Sequence, residues 1–290
     1  MSEKRILPTY KRQRFLLSFI SQLPDEIALT NLQKLVFLHM MSAKSDFYEF
    51  VPYKYGPYSF QLKEDVDVLR KNGFLSRGSV GIVASKEYQG EIAYSIAPER
   101  GDELIRRTYR DYPYYAINSE ILARICRNDT AMRRRIKGEK ERYVQNEQVL
   151  FTIGYEGRSL ELFMNTLVQN DIRLLCDVRQ NPHSRKFGFT KERLEQTAKV
   201  MGIQYLHLPA LGIDASKRKS LGTPADYITL FDDYKKALPN RKPQLDLLYN
   251  QLCTQIRIAL MCFEKEPEMC HRHVIRDYLC DRYPIRSIDL

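Results

Sequence analysis

The chain has 290 residues, of which 43% are hydrophobic and 28% charged, and its formal net charge is +10. This length allows two domains that each bury a core, and the composition is that of a globular protein rather than a disordered or fibrous one. No apolar run is long enough to span a membrane, and the N-terminus lacks the apolar segment of a secretion signal. We therefore expect a cytoplasmic, prokaryotic protein that has no membrane partner.

The positive charge is shared between the two halves of the chain, which favours a polyanionic partner such as DNA or RNA. Six cysteines are too few for a disulfide scaffold in a chain of this length, so we expect reduced thiols. Cys176, Cys253 and Cys280 lie in apolar or helical patterns and are interpreted as small core residues.

Apolar periodicity in the first 112 residues predicts three helices, followed by two strands and a fourth helix. Ser59 is predicted to cap the third helix, and Gly73 to end it. The helices are predicted within 10–23, 31–43, 60–73 and 99–110, and the strands within 74–85 and 91–97, joined by the polar segment 86–90.

This order of elements resembles a winged helix-turn-helix, whose third helix would enter a DNA groove. That helix carries Glu64, Asp65 and Asp67, which would repel phosphate. Protein contacts or homodimerisation through this domain therefore stay open as the alternative.

Residues 113–147 are strongly charged and helix-compatible, with Arg133, Arg134 and Arg135 in succession. They predict a solvated linker helix. A strap that binds phosphate between the two domains is the alternative function of these three arginines.

Residues 148–290 alternate short apolar runs with helical stretches, a pattern typical of a mostly parallel sheet covered by helices on both faces. The predicted fold class is therefore α/β: a three-layer C-terminal domain that follows a mainly helical domain and a charged linker. Polar or glycine-rich residues follow four predicted strands, beginning at Gly154, Asp177, His207 and Cys262. Because the carboxyl ends of parallel strands meet at one edge of a sheet, these loops are predicted to build one site.

Four segments resemble the DUF488 family, a domain of unknown function: TIGYEGRSLELF, DVRQNPHSRKFGF, YLHLPALG and LMCFEKEPEMCHRHVI. The resemblance covers residues 149–283 and implies a compact α/β domain with these motifs gathered at one end of the sheet. It implies no particular reaction. The matching positions are Gly154, Glu156, Asp177, Arg179, Pro182, Ser184, Arg185, His207, Cys262, Glu264, Pro267, Cys270, His271 and Arg272.

The cysteines and histidines near the C-terminus raise two further possibilities. The C-x7-C-H spacing is not that of a structural zinc module, and adjacent residues on a helix diverge by about 100°, so Cys270 and His271 are predicted not to share an ion. We predict no metal ligands and no cofactor, although use of a divalent metal stays open. Cys270 at a predicted helix start beside Arg272 is a candidate nucleophile.

The favoured function is hydrolysis of a nucleotide bond in DNA or RNA, N-glycosidic or phosphodiester, in phage defence or the processing of modified DNA. Arginines would grip phosphate, and carboxylates with a histidine would move protons. Tyr155 and Phe189 would stack on a base. The alternative is a winged-helix regulator whose α/β domain senses a small anion without catalysis. The predicted catalytic residues are Glu156, Asp177, Glu264, Cys270 and His271, and those that bind anion or nucleic acid are Tyr155, Arg158, Arg179, Ser184, Arg185, Arg272, Arg133, Arg134 and Arg135.

Overall fold

A computed structural model describes residues 7–79, 81–85, 94–218 and 222–290, and it divides the chain into two compact units, Met1–Arg142 and Tyr143–Leu290. The segment interpreted as a linker, 113–147, instead lies mostly in the first unit. Ile125, Met132 and Ile136 from this segment are buried in one cluster with Ile105 and Tyr109. These few apolar side chains are spaced among many charges, which is why composition alone favoured a solvated helix.

The first unit is mainly helical, with two short antiparallel hairpins, β1 with β2 and β3 with β4. Ile27 forms an isolated antiparallel bridge with Ile82 of the second hairpin. The elements in chain order are α1 Lys11–Ser21, α2 Leu29–Ala43, β1 Val51–Tyr53, β2 Gly56–Tyr58, α3 Phe60–Lys71, β3 Leu75–Arg77, β4 Ile82–Ala84, α4 Gly101–Asp111, α5 Leu122–Ile125 and α6 Thr130–Glu141.

Both predicted boundaries of α3 are confirmed. The Ser59 hydroxyl accepts a hydrogen bond from the Leu62 amide at 3.2 Å, and Gly73 adopts a left-handed φ of 77° after the helix.

The segment predicted as one strand, 74–85, contains two strands, β3 and β4, which pair with each other. Gly81, immediately before β4, lies so close to Ile27 that a Cβ would stand 2.3 Å from its carbonyl oxygen. Residues 94–97 form no strand, and the rest of the second run, 91–93, lies outside the described residues.

The second unit contains a five-stranded sheet in the order β7-β6-β8-β5-β9, in which every neighbouring pair is parallel. The α/β fold is thereby confirmed. Its elements are β5 Val149–Gly154, α7 Leu160–Gln169, β6 Leu174–Asp177, α8 Lys191–Val200, β7 Gln204–His207, α9 Pro224–Ala237, α10 Lys242–Gln255, β8 Arg257–Cys262, α11 Arg272–Cys280 and β9 Arg286–Asp289.

The three interior strands, β6, β8 and β5, are buried along their whole lengths, as expected where helices cover both faces of a parallel sheet. Leu150 and Leu260 from one face of these strands pack in a core with α9, α10 and α11. The edge strand β9 was not predicted, because it is short and only partly buried.

The last predicted helix began at Cys270, whereas α11 begins at Arg272. A 3₁₀ turn at Pro267–Met269 precedes it, and Cys270 has an extended backbone with φ −136° and ψ 135°. This difference decides the geometry of the cysteines, described below. Among the described residues, no helix is both long and apolar enough to cross a membrane.

Candidate functional site

A cleft of about 350 Å³ lies at the carboxyl edge of the sheet in the second unit. The loops after β5, β6 and β8 meet there because these three strands are parallel neighbours. The cleft is lined by Tyr155, Arg179, Gln180, Asn181, His183, Ser184, Arg185, Ile213, Cys262, Phe263 and His271. A second cavity of about 450 Å³ shares Gln180 and Ile213 with it.

Asp177 and Arg179 form a buried ion pair at the end of β6. The Arg179 Nε donates to Asp177 Oδ1 at 2.9 Å, and its second guanidinium nitrogen donates to Oδ2 at 2.5 Å. Burial alone would lower the pKa of Arg179, but the Asp177 carboxylate more than offsets this and raises it. Tyr205 also donates to Asp177, at 2.6 Å. The predicted catalytic acid thus accepts hydrogen bonds from the Arg179 amide, from two nitrogens of the Arg179 guanidinium and from the Tyr205 hydroxyl.

Arg179 fixes several further groups around the cleft. Its remaining guanidinium nitrogen donates to the Tyr155 hydroxyl at 3.1 Å and to the Phe189 carbonyl at 2.9 Å, and its own carbonyl contacts His207 Nε2 at 2.9 Å. The Asp177–Arg179 pair therefore links the loop after β5, the loop after β6 and the end of β7 through hydrogen bonds.

Tyr155 and Phe189, which were expected to stack on a base, stack on each other. Their ring centroids lie 4.3 Å apart with an interplanar angle of 10°, and both side chains are buried. Phe263 packs edge-on against Tyr155 and is 44% exposed. The aromatic face available to a ligand in this cleft therefore belongs to Phe263.

The loop after β8 is held from both sides. The Glu156 carboxylate accepts a hydrogen bond from the Lys265 amide at 2.9 Å. The buried Arg272 guanidinium donates to the carbonyls of Glu264 at 2.5 Å and Lys265 at 2.8 Å. A Cβ on Gly154 would stand 1.8 Å from the Glu264 carbonyl oxygen, so only glycine permits this approach. Glu156 and Arg272, predicted to act on substrate, position the loop that carries Glu264.

Three buried side chains converge at the bottom of the cleft. His271 Nδ1 lies 3.9 Å from Cys262 Sγ and 3.8 Å from Cys270 Sγ, while its Nε2 lies 3.0 Å from the Val178 carbonyl oxygen. A carbonyl oxygen can only accept, so Nε2 carries a proton, and in the neutral form of the ring the Nδ1 lone pair faces the two sulfurs.

The electrostatics of this cluster favour a thiolate. Burial by itself disfavours the charged form of Cys270, yet the Cys262 thiol, His271 and Arg272 together lower the pKa of Cys270 well below its usual range. Cys270 is fully buried, and of the two cysteines it is Cys262 that lines the cleft. Substrate in the cleft would thus meet Cys262 before Cys270, the predicted nucleophile.

Arg185 is a charged residue of the cleft lining, and Glu264 places a carboxylate beside Cys262, which also lines the cleft. The Glu264 carboxylate lies 3.4 Å from Cys262 Sγ and is partly exposed. Arg185 is exposed on the wall of the cleft and, within the ranges that the structure describes, no hydrogen bond or ion pair occupies its guanidinium. Beside it, the Ser184 hydroxyl accepts from the Lys186 amide at 3.1 Å.

The family model described as "Domain of unknown function DUF488" matches residues 159–279. The second unit is similar to the DUF488 family. No curated protein and no solved structure matches the chain. The matched range includes Asp177, Arg179 and the Cys262, Cys270 and His271 cluster, whereas β5 and the loop after it precede the range.

Some predicted site residues lie elsewhere. Arg158 donates to Thr166 Oγ1 at 3.3 Å and does not line the cleft; burial and then the charge of Arg272 lower its pKa. Arg133, Arg134 and Arg135 are exposed on α6 of the first unit. These four arginines are therefore not part of the cleft lining in the second unit.

Phe263, His183 and Gln180 line the cleft but are not among the site residues predicted from the sequence. A signal existed for Phe263, because an aromatic residue immediately after a buried strand leaves the core at the sheet edge that binds ligands. His183 and Gln180 had no such signal, since their positions depend on how the loop after β6 folds.

Proposed function

We propose that this protein binds nucleic acid and that the cleft of its second unit hydrolyses a nucleotide bond, N-glycosidic or phosphodiester, in DNA or RNA. The main support for this proposal is the content of one cleft. The cleft is lined by an exposed cation, an exposed aromatic ring and part of a buried thiol–imidazole cluster that has a carboxylate beside it. The cation suits the phosphate of a nucleotide, the ring suits its base, and the carboxylate suits proton transfer at the bond to be hydrolysed.

Arg185 is the group best suited to the phosphate. Its guanidinium offers planar paired donors, and ion pairing to described parts of the protein does not occupy it. Arg179 and Arg272 are saturated by the Asp177 carboxylate and by backbone carbonyls respectively, so their contribution is to the shape of the cleft.

Phe263 is the group best suited to the base. Its ring is 44% exposed, and Tyr155 behind it is fixed by Arg179, so a base can stack without moving the wall. Stacking accepts any base, because every base has a π-face.

Glu264 is the carboxylate best suited to proton transfer. It is partly exposed and next to Cys262, whereas Asp177 is fully buried in its ion pair. A partly exposed carboxylate beside a buried cluster can accept a proton from water that attacks the substrate. Asp177 and Glu156 support the cleft walls in this scheme.

The first unit supports a nucleic-acid substrate. Ile27 forms an isolated antiparallel bridge with Ile82 of the β3–β4 hairpin, and helices followed by such a hairpin are the arrangement of a winged helix. Asp65 on α3 is 1% exposed and bonded to Arg12, so its charge does not face an approaching phosphate. The net charge of +10 favours the same substrate class. Dimerisation through this unit stays a prediction.

The test uses the full chain with end-labelled single-stranded and double-stranded DNA and with RNA. Strand cleavage is read on a denaturing gel, and base release is read as abasic sites that break in alkali. We expect Glu264→Gln to abolish turnover while affinity persists, and Arg185→Ala to weaken affinity. Lys199→Ala, which removes one exposed charge outside the cleft, is the matched control and should leave both unchanged.

Two outcomes would oppose the proposal. If no nucleic acid is altered with or without added divalent metal, and Arg185→Ala abolishes binding of a free nucleotide, the second unit is a sensor of small anions. If Arg185→Ala and Lys199→Ala lower affinity equally, the cleft does not bind the phosphate.

A further inference from the structure

We propose that Cys262, Cys270 and His271 form a mononuclear zinc site whose exchangeable ligand position opens into the cleft. Metal binding is inferred from the geometry of these three residues alone. Participation of the metal in hydrolysis rests in addition on the proposed function.

The spacing of the donor atoms fits a tetrahedral ion. Zinc with a thiolate ligand at about 2.3 Å and an imidazole ligand at about 2.0 Å sets a sulfur–nitrogen separation of about 3.6 Å. His271 Nδ1 lies 3.9 Å from Cys262 Sγ and 3.8 Å from Cys270 Sγ, and the three donor atoms lie within 4.8 Å of one another. Small movements of the side chains would complete the site.

The tautomer of His271 is the one that a metal ligand requires. Its Nε2–H donates to the Val178 carbonyl at 3.0 Å, which leaves the Nδ1 lone pair directed at both sulfurs. Metal-ligating histidines almost always anchor their other nitrogen in this way, and such an anchor fixes the ring plane. A single thiol nucleophile would need only one sulfur near this nitrogen, whereas two sulfurs converge on it.

The backbone conformation at Cys270 allows Cys270 and His271 to ligate the same ion. Cys270 and His271 would diverge on a helix, but Cys270 has extended backbone angles after the Pro267–Met269 turn. Cys262 is the last residue of β8, so a strand end and a turn supply the ligands. Cys270 therefore does not share a helix with His271, and the Cys270 Sγ and His271 Nδ1 atoms lie 3.8 Å apart.

The charge balance suits a buried site. Two thiolates, a neutral imidazole and a divalent cation sum to zero, so no net charge is left in a place where all three residues are buried. The set of donors, two sulfurs and one nitrogen, is one that zinc prefers and that magnesium and calcium avoid.

The position of the cleft defines the open coordination site. Cys262 and His271 line the cleft and Cys270 lies behind them, so an exchangeable ligand would point into the cleft beside Glu264. Three protein ligands with one open position is the arrangement of catalytic rather than structural zinc. Zinc-bound water loses a proton near neutral pH, which would supply the nucleophile that the proposed function needs.

The experiment is metal reconstitution of the full chain. The reduced protein is stripped with a chelator, then titrated with Zn²⁺, with stoichiometry read by elemental analysis after gel filtration. Co²⁺ is titrated in parallel, because thiolate-to-cobalt charge-transfer and intense visible bands report sulfur ligation and tetrahedral geometry. We expect one ion per chain and both sets of cobalt bands.

The variants Cys262→Ala, Cys270→Ala and His271→Gln should each lower Zn²⁺ affinity at least tenfold and change the cobalt spectrum. Cys176→Ala is the matched control, since Cys176 is also a buried cysteine of the same sheet. Circular dichroism confirms that each variant is folded, and the wild-type titration alone decides the proposal if a variant does not fold.

The proposal is overturned if wild-type protein binds less than a tenth of an ion per chain, or if Cys176→Ala and Cys262→Ala behave alike. It is also overturned if protein purified without reductant carries a Cys262–Cys270 disulfide by mass spectrometry and binds no Zn²⁺ after that disulfide has been reduced. Turnover of nucleic acid by the metal-free protein would leave the proposed function standing and remove the metal from it.

Discussion

The two units bury similar carboxylates in different surroundings. In the first unit, Asp65 accepts from Arg12 at 2.7 Å, from Gln13 at 2.8 Å and from Tyr48 at 3.0 Å. In the second unit, Asp177 accepts from Arg179 and from Tyr205. Each acid is almost fully buried and is held by one arginine and at least one tyrosine.

The difference lies in what surrounds each pair. The Arg12 side chain is 31% exposed and its partner helix lines neither of the two cavities described above, whereas Arg179 is 6% exposed and forms a wall of the cleft. A buried ion pair therefore does not mark a functional site by itself. The neighbouring groups with unused chemistry, such as Arg185 and Phe263, mark it.

The largest effect is expected when each of the two ion pairs is broken in turn by substitution of its arginine. Arg179→Met leaves Asp177 buried without its counter-ion and should cost about 3–5 kcal/mol of stability. Arg12→Met should cost only about 1.5 kcal/mol, because Gln13 and Tyr48 still donate to Asp65 and water reaches the gap. Denaturant unfolding measures each loss, with hydrogen exchange in β6 and α3 assigning it to a unit. Equal losses would mean that exposure does not separate the two pairs.

The second prediction concerns Lys34, a buried cation whose pKa is changed by its burial. Burial lowers the pKa of Lys34 in the first unit to about 8 from 10.5, and its ammonium donates to the Thr30 carbonyl at 3.2 Å. The unfolded chain binds more protons than the folded one between pH 8 and 10.5, so wild-type stability should rise across this window.

Lys34→Met should remove that slope and stabilise the protein at pH 7 by roughly 3 kcal/mol, with the gain fading as the pH rises toward 10.5. Chemical denaturation from pH 6 to 10.5 measures it. Lys71→Met, at an exposed end of α3, is the control, because it removes an ammonium group that is not buried. A Lys34→Met variant that is less stable at pH 7 would show that the ammonium has a favourable role.

The third prediction compares two glycines. Gly154→Ala in the second unit drives a methyl group into the Glu264 carbonyl and should cost about 2 kcal/mol while displacing the loop after β8. Gly138→Ala in the first unit should instead stabilise the protein by about 0.5–1 kcal/mol, because α6 has open space at that position. Thermal unfolding measures both signs. A neutral Gly154→Ala would show that the loop tolerates displacement.

The smallest effect concerns the exposed ring of the cleft. Phe263→Ala should weaken binding of single-stranded nucleic acid about tenfold, the loss of one stacked base, and leave stability nearly unchanged. Fluorescence anisotropy measures the affinity. Leu162→Ala, which removes a similarly exposed side chain from α7, should have no effect on affinity. If Phe263→Ala also has none, binding belongs to the first unit alone.

Much of the second unit was predictable because its signals are local. The alternation of apolar runs and helical stretches predicted β5 to β8 and the helices between them, and the parallel arrangement then brought the loops to one edge. In the first unit, the cap at Ser59 and the stop at Gly73 were local as well.

Three features were not predictable because they depend on distant residues. Asp65 was interpreted as a surface acid, but Arg12, more than fifty residues away in sequence, buries it in an ion pair. Tyr155 and Phe189 both carried the pattern of stacking residues, and only the packed sheet edge shows that they stack on each other. Helix α11 begins at Arg272, two residues after its predicted start at Cys270. This difference allows the two cysteines and His271 to meet.

The sequence by itself determined the α/β class of the second unit and the edge of the sheet where its polar loops gather, because both follow from period and strand order along the chain. Only the tertiary structure decided which of those polar groups are used up in holding the edge together and which face the cleft. Hydrogen-bond donors and acceptors are satisfied by whatever lies nearest in space, so the roles of Asp177, Arg272, Phe263 and the Cys262, Cys270 and His271 cluster were settled by contacts that no local pattern records.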